Sequence, residues 1–335
     1  EHSAMSACIG TSAAGARTFT STSAQGLELM HEILFIASGL RLPIVMAVAN
    51  RALSSPLSIW NDHSDVMAAR DCGWIQLFCE NGQEVVDTII MAFRIAEDNR
   101  VLLPVMVNLD GFQLSHVVEP IEFPEQSDVD KFLPEYKPVY TLHPDKPVTM
   151  GAYATPELYT EAKFAQEQAI INSLPVIKEV LAEYSKRFKR KYNILETYNY
   201  DKSDTVFIAM GSINENIMTA IDALKKDKKS CGLLKIRLFR PFPDEDLARL
   251  LEKKKNIVVI DRAMPQGAMN GPVYNEIAAL LRKYNIKANI FNYIVGLGGR
   301  DVLPEDFISI YNEVVKPSKV KSGGKTNYKV IGVRA

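Results

Sequence analysis

The sequence is poor in everything that usually marks a metalloprotein. It has four cysteines in 335 residues, Cys8, Cys72, Cys79 and Cys231. Their spacing fits no zinc or iron–sulfur pattern. Cys72 and Cys79 stand seven apart, too far along a strand or helix to share one ion. This usage reads as reduced core thiols in a cytoplasmic protein, with any redox metal on another chain. No HxH or HExxH spacing links His2, His31, His63, His116 and His143, so no ligand set emerges from them. Ser54 and Ser55 lack a GxSxG frame, which argues against an α/β-hydrolase nucleophile. No apolar run reaches the ~18 residues of a membrane span. The best stretch, 29–48, is broken by His31, Glu32, Arg41 and Pro43. Neither charge dominates: 39 basic residues face 40 acidic ones, a net of −1. No basic patch stands out, which argues against a nucleic-acid partner.

What is present is apolar content, 47% of residues, enough for ordinary cores, in a chain long enough for roughly two domains. The first half alternates apolar runs (18–22, 44–49, 74–79, 102–109) with helical patterns (4–16, 27–39, 65–71, 83–98). Such alternation predicts a parallel, doubly wound α/β sheet. Residues 118–155 carry Pro120, Pro124, Pro134, Pro138, Pro144 and Pro147 and read as an extended crossing segment, ordered only if it lies on something. A long charged helix is expected over 157–192. Its basic end, residues 186–191, fits a solvated helix C-terminus favoured by the dipole better than a binding patch. A second α/β unit follows, with strands at 205–210, 232–238, 256–261 and 288–294 and helices at 211–223, 244–253, 271–284 and 304–315. The predicted division is 1–198, 199–316 and a tail, 317–335, with a short strand at 328–333. The Ala/Ser/Gly-rich helix at the start reads as packed interior, so the sequence is expected to continue upstream of Glu1.

The block 43–74 is the most informative. An apolar run without polar alternation reads as a strand buried on both faces. It ends at Asn50-Arg51 and opens into a loop with Asn61, Asp62, His63 and Asp65. Ligands of open α/β sheets bind just past the carboxyl ends of such strands. An arginine there presents a planar fork to a carboxylate. Its competing role is an ion pair with Asp62 or Asp65, and the residues alone leave the two even. His63 fits a loop anchor better than a general base. Two glycine turns, 296–300 and Gly211-Ser212, resemble phosphate loops only weakly, because neither has the GxGxxG spacing.

Taken together these blocks resemble the α subunit of the 2-oxoacid:ferredoxin oxidoreductases, most closely those acting on pyruvate. The carrying residues are Glu1-His2-Ser3-Ala4, Thr20-Ser21-Thr22-Ser23-Ala24-Gln25-Gly26-Leu27, the block 41–73, Asp110-Gly111-Phe112 with Ser115-His116, Lys235-Ile236-Arg237-Leu238-Phe239-Arg240-Pro241-Phe242, and 296–301. The resemblance implies a thiamine-diphosphate fold of the pyrimidine-binding type, then a domain like the C-terminal domain of transketolase. It implies reversible oxidative decarboxylation of pyruvate with coenzyme A to acetyl-CoA and CO2, with electrons passing to ferredoxin. Partner β, γ and δ subunits are implied. The diphosphate and Mg²⁺ site and the [4Fe-4S] clusters lie on those partners, and this chain is inactive alone. Two alternatives stay open: the same chemistry on 2-oxoisovalerate, 2-oxoglutarate or an aryl pyruvate, and a non-catalytic α/β binding subunit.

The resemblance also assigns residues. Glu1 matches the family's catalytic glutamate, which hydrogen-bonds the pyrimidine N1′ and drives the amino-to-imino shift that thiamine catalysis needs. An apolar surround that raises such a carboxyl's pKa helps that exchange. His2 departs from the small residue usual after that glutamate. Arg51 matches the arginine that holds the substrate carboxylate. Thr22, Ser23 and Gln25 match a loop that faces the cofactor or a subunit interface. The family's substrate-binding threonine, in a Pro-Ile-Thr-Pro stretch, falls upstream of Glu1.

Overall fold

A computed structural model of the chain describes residues 1–315 and 328–334. Most of the expected tail therefore lies outside the described residues. The first half runs through helix His2–Ala13 (α1), strand Thr18–Thr22 (β1), helices Gln25–Leu29 (α2) and His31–Gly39 (α3), strand Ile44–Asn50 (β2), helix Ser64–Ala68 (α4), strand Ile75–Phe78 (β3), helix Gly82–Ala96 (α5) and strand Val105–Asp110 (β4). Helices Gln126–Phe132 (α6) and Pro156–Phe188 (α7) follow. The second half comprises strands Leu195–Tyr198 (β5) and Thr205–Ala209 (β6), helix Ile213–Lys226 (α8), strands Cys231–Ile236 (β7) and Leu238–Arg240 (β8), and helix Asp244–Leu251 (α9). Strand Asn256–Asp261 (β9), helix Pro272–Lys283 (α10), strand Asn289–Ile294 (β10), helix Pro304–Val315 (α11) and strand Tyr328–Val330 (β11) complete it.

Two sheets form. One has the order β1-β2-β4-β3-β8, the other β11-β10-β9-β6-β7-β5. Every pairing is parallel except those of the edge strands β8 and β5. The apolar run of β2 is explained by its two faces. Ile44, Met46 and Val48 pack toward α1 and α3, while Val45 packs toward α5 and α7. In the second sheet Val206, Ile208, Ile257 and Val259 face α9 and α10, and Phe207, Val258 and Ile260 face α8 and α11. One core cluster runs unbroken from the first unit into the second.

Several elements differ from the sequence reading. Residues 232–238 are not one strand. β7 ends at Ile236, Arg237 is buried between Glu84 and Glu196, and Leu238–Arg240 adds antiparallel to the first sheet. The cation needs both carboxylates to be buried at all, so the chain turns there. β5 was not legible, because its short edge sequence Leu-Glu-Thr-Tyr carries little apolar pattern. The crossing segment is ordered because it lies on the first unit. Glu119 accepts the Gly82 amide at 2.9 Å, Arg17 donates to the Pro134 carbonyl at 2.7 Å, and the Leu142 amide reaches the Ala13 carbonyl at 2.8 Å. Within the basic run 186–191, Arg190 turns inward and pairs with buried Asp87 at 2.6 Å.

The two units are locked at the carboxyl ends of their strands. Asp110, closing β4, is buried and accepts from Arg262 at 2.7 Å, His63 Nε2 at 2.8 Å, Asn61 Nδ2 at 3.1 Å, and the Ser212 amide and hydroxyl at 2.8 and 2.5 Å. Burial alone would raise its pKa; the Arg262 guanidinium, then His63 and Ser212, hold it well below the usual carboxylate range. Gly211 has φ +75°, and a Cβ there would come within 2.9 Å of Asp110 Oδ2. The Gly211-Ser212 turn thus cradles an anion, but that anion is the protein's own carboxylate. Arg262→Met should lower stability by about 3–5 kcal/mol, the cost of leaving one partner of a buried pair uncompensated. The denaturant midpoint checks this; a shift worth under ~0.5 kcal/mol, the scale of an ordinary surface change, would contradict the lock.

Candidate active site

β1 and β2 lie side by side, with Thr22 opposite Val48, so the loops that follow them emerge together. The first loop carries Ser23, Ala24 and Gln25, and the second starts with Arg51. Arg51 Nη2 donates to Gln25 Oε1 at 3.4 Å and ties the loops at their tips. Asp65, buried on α4, ties them at their bases. Its Oδ2 accepts the amides of both Ala24 and Arg51 at 3.0 Å, and its Oδ1 accepts Asn50 Nδ2 at 3.1 Å. Burial pushes the Asp65 carboxyl up to about 6, against hydrogen bonds from Arg51, Val66, Ala24 and Asn50 that pull it down.

Glu1 stands at the N-cap of α1, a helix packed on β1 and α3, but its side chain caps nothing. It lies instead against Gly26, in the first turn of α2. A Cβ on Gly26 would fall 3.0 Å from Glu1 Oε1 and 2.5 Å from Thr22 Oγ1. Glycine leaves the room in which the carboxylate and the hydroxyl converge. Glu1, Thr22, Gln25 and Arg51 therefore occupy one cluster. Ser23 is half-buried in the same loop, and its carbonyl accepts the Gly26 amide at 2.9 Å.

Thr22 Oγ1, Gln25 Nε2 and Arg51 Nε are buried with no hydrogen-bond partner. A buried polar atom without a partner is costly, and native proteins tolerate few. These two donors and a hydroxyl lie on two adjacent loops near the exposed Glu1, and they leave hydrogen bonds that a polar ligand can complete. A ring with acceptor and donor nitrogens and an anionic substrate suit this donor set.

The ion pair weighed for Arg51 does not form. Asp62 accepts the Ser64 amide and hydroxyl and the Gly298 amide, and Asp65 takes only the Arg51 backbone. Among the described residues the Arg51 guanidinium makes no ion pair. His63 is the loop anchor, buried between Asp110 and the Arg262 carbonyl. The turn at 296–300 is a packing turn. A Cβ at Gly299 would fall 2.3 Å from that of Trp60, and the Gly299 amide meets the Asn61 carbonyl at 2.6 Å. The sequence reading anticipated His63 as an anchor but missed the organising roles of Asp65, Asp110 and Arg262. Their only signal was placement beside strand ends. Beside Arg51 the loop exposes Leu57 (78%), Ile59 (51%) and Trp60 (44%), the last packed on Phe112 at 5.6 Å between ring centroids.

The family model described as pyruvate flavodoxin/ferredoxin oxidoreductase, thiamine diP-binding, matches residues 1–182. The chain belongs to this family. A second model, pyruvate:ferredoxin oxidoreductase core domain II, matches residues 203–307. Among relatives of this oxidoreductase chain is the pyruvate synthase subunit PorA of Methanocaldococcus jannaschii, 52% identical over 94% of this chain and 81% of that one. The Thermotoga maritima PorA is 48% identical, over 94% and 80%. The ketoisovalerate oxidoreductase subunit VorA of Pyrococcus horikoshii is 43% identical, over 98% and 83%. Among solved structures, a 2-oxoglutarate:ferredoxin oxidoreductase from Magnetococcus marinus matches with a TM-score of 0.62 at 19% identity, covering 94% of this chain and 56% of that chain. A split-gene transketolase matches with a TM-score of 0.52 at 12% identity, covering 94% and 81%. Both likenesses concern the fold, and they agree with the thiamine-diphosphate architecture expected for this oxidoreductase family.

Proposed function

We propose that this chain is the α-type subunit of a pyruvate synthase. With its partner subunits it oxidatively decarboxylates pyruvate with coenzyme A to acetyl-CoA and CO2, reversibly, and passes electrons to ferredoxin. The observation that carries the reading is the cluster of Glu1, Thr22, Gln25 and Arg51 at two adjacent strand ends, with unpartnered buried polar atoms on three of them. Thiamine diphosphate, when bound, supplies the electron sink for carbon–carbon bond cleavage. Glu1 exchanges a proton with the aminopyrimidine N1′. Thr22, Ser23 and Gln25 line the cofactor pocket or the subunit interface. Arg51 holds the substrate carboxylate until it leaves as CO2.

The partners belong to the same proposal. A β subunit contributes the diphosphate and Mg²⁺ site, γ and δ subunits complete the assembly, and the [4Fe-4S] clusters sit on those chains. The exposed Leu57, Ile59 and Trp60 beside the site support coverage by another subunit, since scattered surface apolar residues rarely gather at a polar site. The division into 1–198 as the pyrimidine-binding unit and 199–316 as the transketolase-like unit is part of this reading. So is a cytoplasmic location; no helix among the described residues is long and apolar enough to cross a membrane.

PorA is the recurrent name among these relatives and VorA the minority one, which favours pyruvate over the branched acid. The assembled complex, assayed with coenzyme A and ferredoxin, should show kcat/KM at least about tenfold higher on pyruvate than on 2-oxoisovalerate, the scale on which a pocket senses added methyl groups. A preference for the branched acid would overturn the choice of substrate.

A further inference from the structure

We propose that Asp65 is a positioning residue of this site, fixing the spacing between the loop that carries Arg51 and the loop that carries Thr22, Ser23 and Gln25. The inference rests on the function proposed above and adds a residue to it. Asp65 Oδ2 accepts two backbone amides, Ala24 and Arg51, each at 3.0 Å, from the ends of two neighbouring strands. One acceptor shared by two amides caps their separation at about 6 Å, two hydrogen-bond lengths. Oδ1 is held in turn by Asn50 Nδ2 at 3.1 Å and the Val66 amide at 2.7 Å, so the carboxylate cannot swing.

Two further observations say that this carboxylate holds a loop as well as filling space. Asp65 is fully buried yet forms no ion pair among the described residues. A buried carboxylate without a cation is expensive and persists only where several donors satisfy it. Ala24, whose amide it binds, has φ 45° and ψ −118°, a conformation that costs a residue with a side chain about 1–3 kcal/mol. That strained residue sits directly between Ser23 and Gln25. Without the acceptor, the Ala24 amide is orphaned and the loop relaxes away from Arg51. A displacement of about 1 Å in such a site costs about 100-fold in rate.

The test uses the assembled complex. Asp65→Ala should lower kcat/KM for pyruvate about 100-fold. Asp65→Asn keeps one oxygen for the two loop amides but turns its NH2 against the Asn50 Nδ2 and Val66 donors, so it should lose about tenfold, less than Asp65→Ala. In an Arg51→Ala background, Asp65→Ala should cost clearly less than the roughly 100-fold it costs in the wild type, because the part of its effect that acts through Arg51 is already lost. Hydrogen exchange gives a readout independent of turnover: the Ala24 and Arg51 amides should lose protection in Asp65→Ala while those within β2 keep it. Fully multiplicative losses in the double variant, or retained protection of both amides, would overturn the inference. If Asp65→Ala does not assemble, Asp65→Glu decides. It keeps the charge but moves the oxygens by a methylene, and activity equal to that of Asp65→Asn would overturn the inference. Wild-type turnover in Arg51→Ala would instead remove the site reading beneath it, and the inference with it.

Discussion

Glu1→Gln, introduced into the assembled complex, should lower turnover on pyruvate by about 10²–10⁴-fold, the contribution of a positioned acid–base group. Glutamine keeps the size and can still hydrogen-bond, but it cannot exchange a proton at N1′. The loss should come without loss of fold. The Glu1 side chain makes no capping bond to α1, and the contact that starts the helix, from the Met5 amide to the Glu1 carbonyl at 2.9 Å, is backbone and survives the change. A Tm within error of the wild type with turnover collapsed is the expected pair of results. Unchanged turnover would leave the chain as a non-catalytic binding subunit.

Arg51→Ala should raise KM for pyruvate and lower kcat/KM by about 10²–10⁴-fold, the equivalent of two hydrogen bonds to a charged group at about 1.5–3 kcal/mol each. The guanidinium makes no ion pair among the described residues, so its removal strands no buried carboxylate; only the 3.4 Å contact to Gln25 is lost. Stability should therefore change by less than about 1 kcal/mol. Arg51→Lys should recover little, because an ammonium restores the charge without the planar fork. Affinity for thiamine diphosphate should be unaffected in both variants, which isothermal titration of the complex measures directly. A large drop in cofactor affinity with KM unchanged would place Arg51 on the cofactor instead.

Most strands and helices were legible because a parallel sheet buried on both faces leaves continuous apolar runs, as in β2 and β9, which the edge strand β5 lacks. Leu238–Arg240 was not, because the sequence carries no mark that a strand leaves one sheet for another at Arg237. The position of Arg51 after a buried strand pointed to the site. Its freedom from Asp62 and Asp65 did not follow from sequence, since it depends on Asp62 turning to Ser64 and Gly298. Asp110 and Arg262 meet across 152 residues, and the sequence showed only an acid ending one strand and a base following another. Glu1 had no signal in composition or spacing, and only the family resemblance pointed to it. Its convergence with Thr22 over Gly26 is a property of how α1 packs on β1.

The most direct test of the central claim is the visible spectrum of the complex purified without oxygen, recorded while pyruvate and then coenzyme A are added. The account predicts broad iron–sulfur absorbance that bleaches with pyruvate, and further electron release when coenzyme A follows. A colourless, intact preparation without associated subunits, still unresponsive after cofactors are supplied, would contradict it.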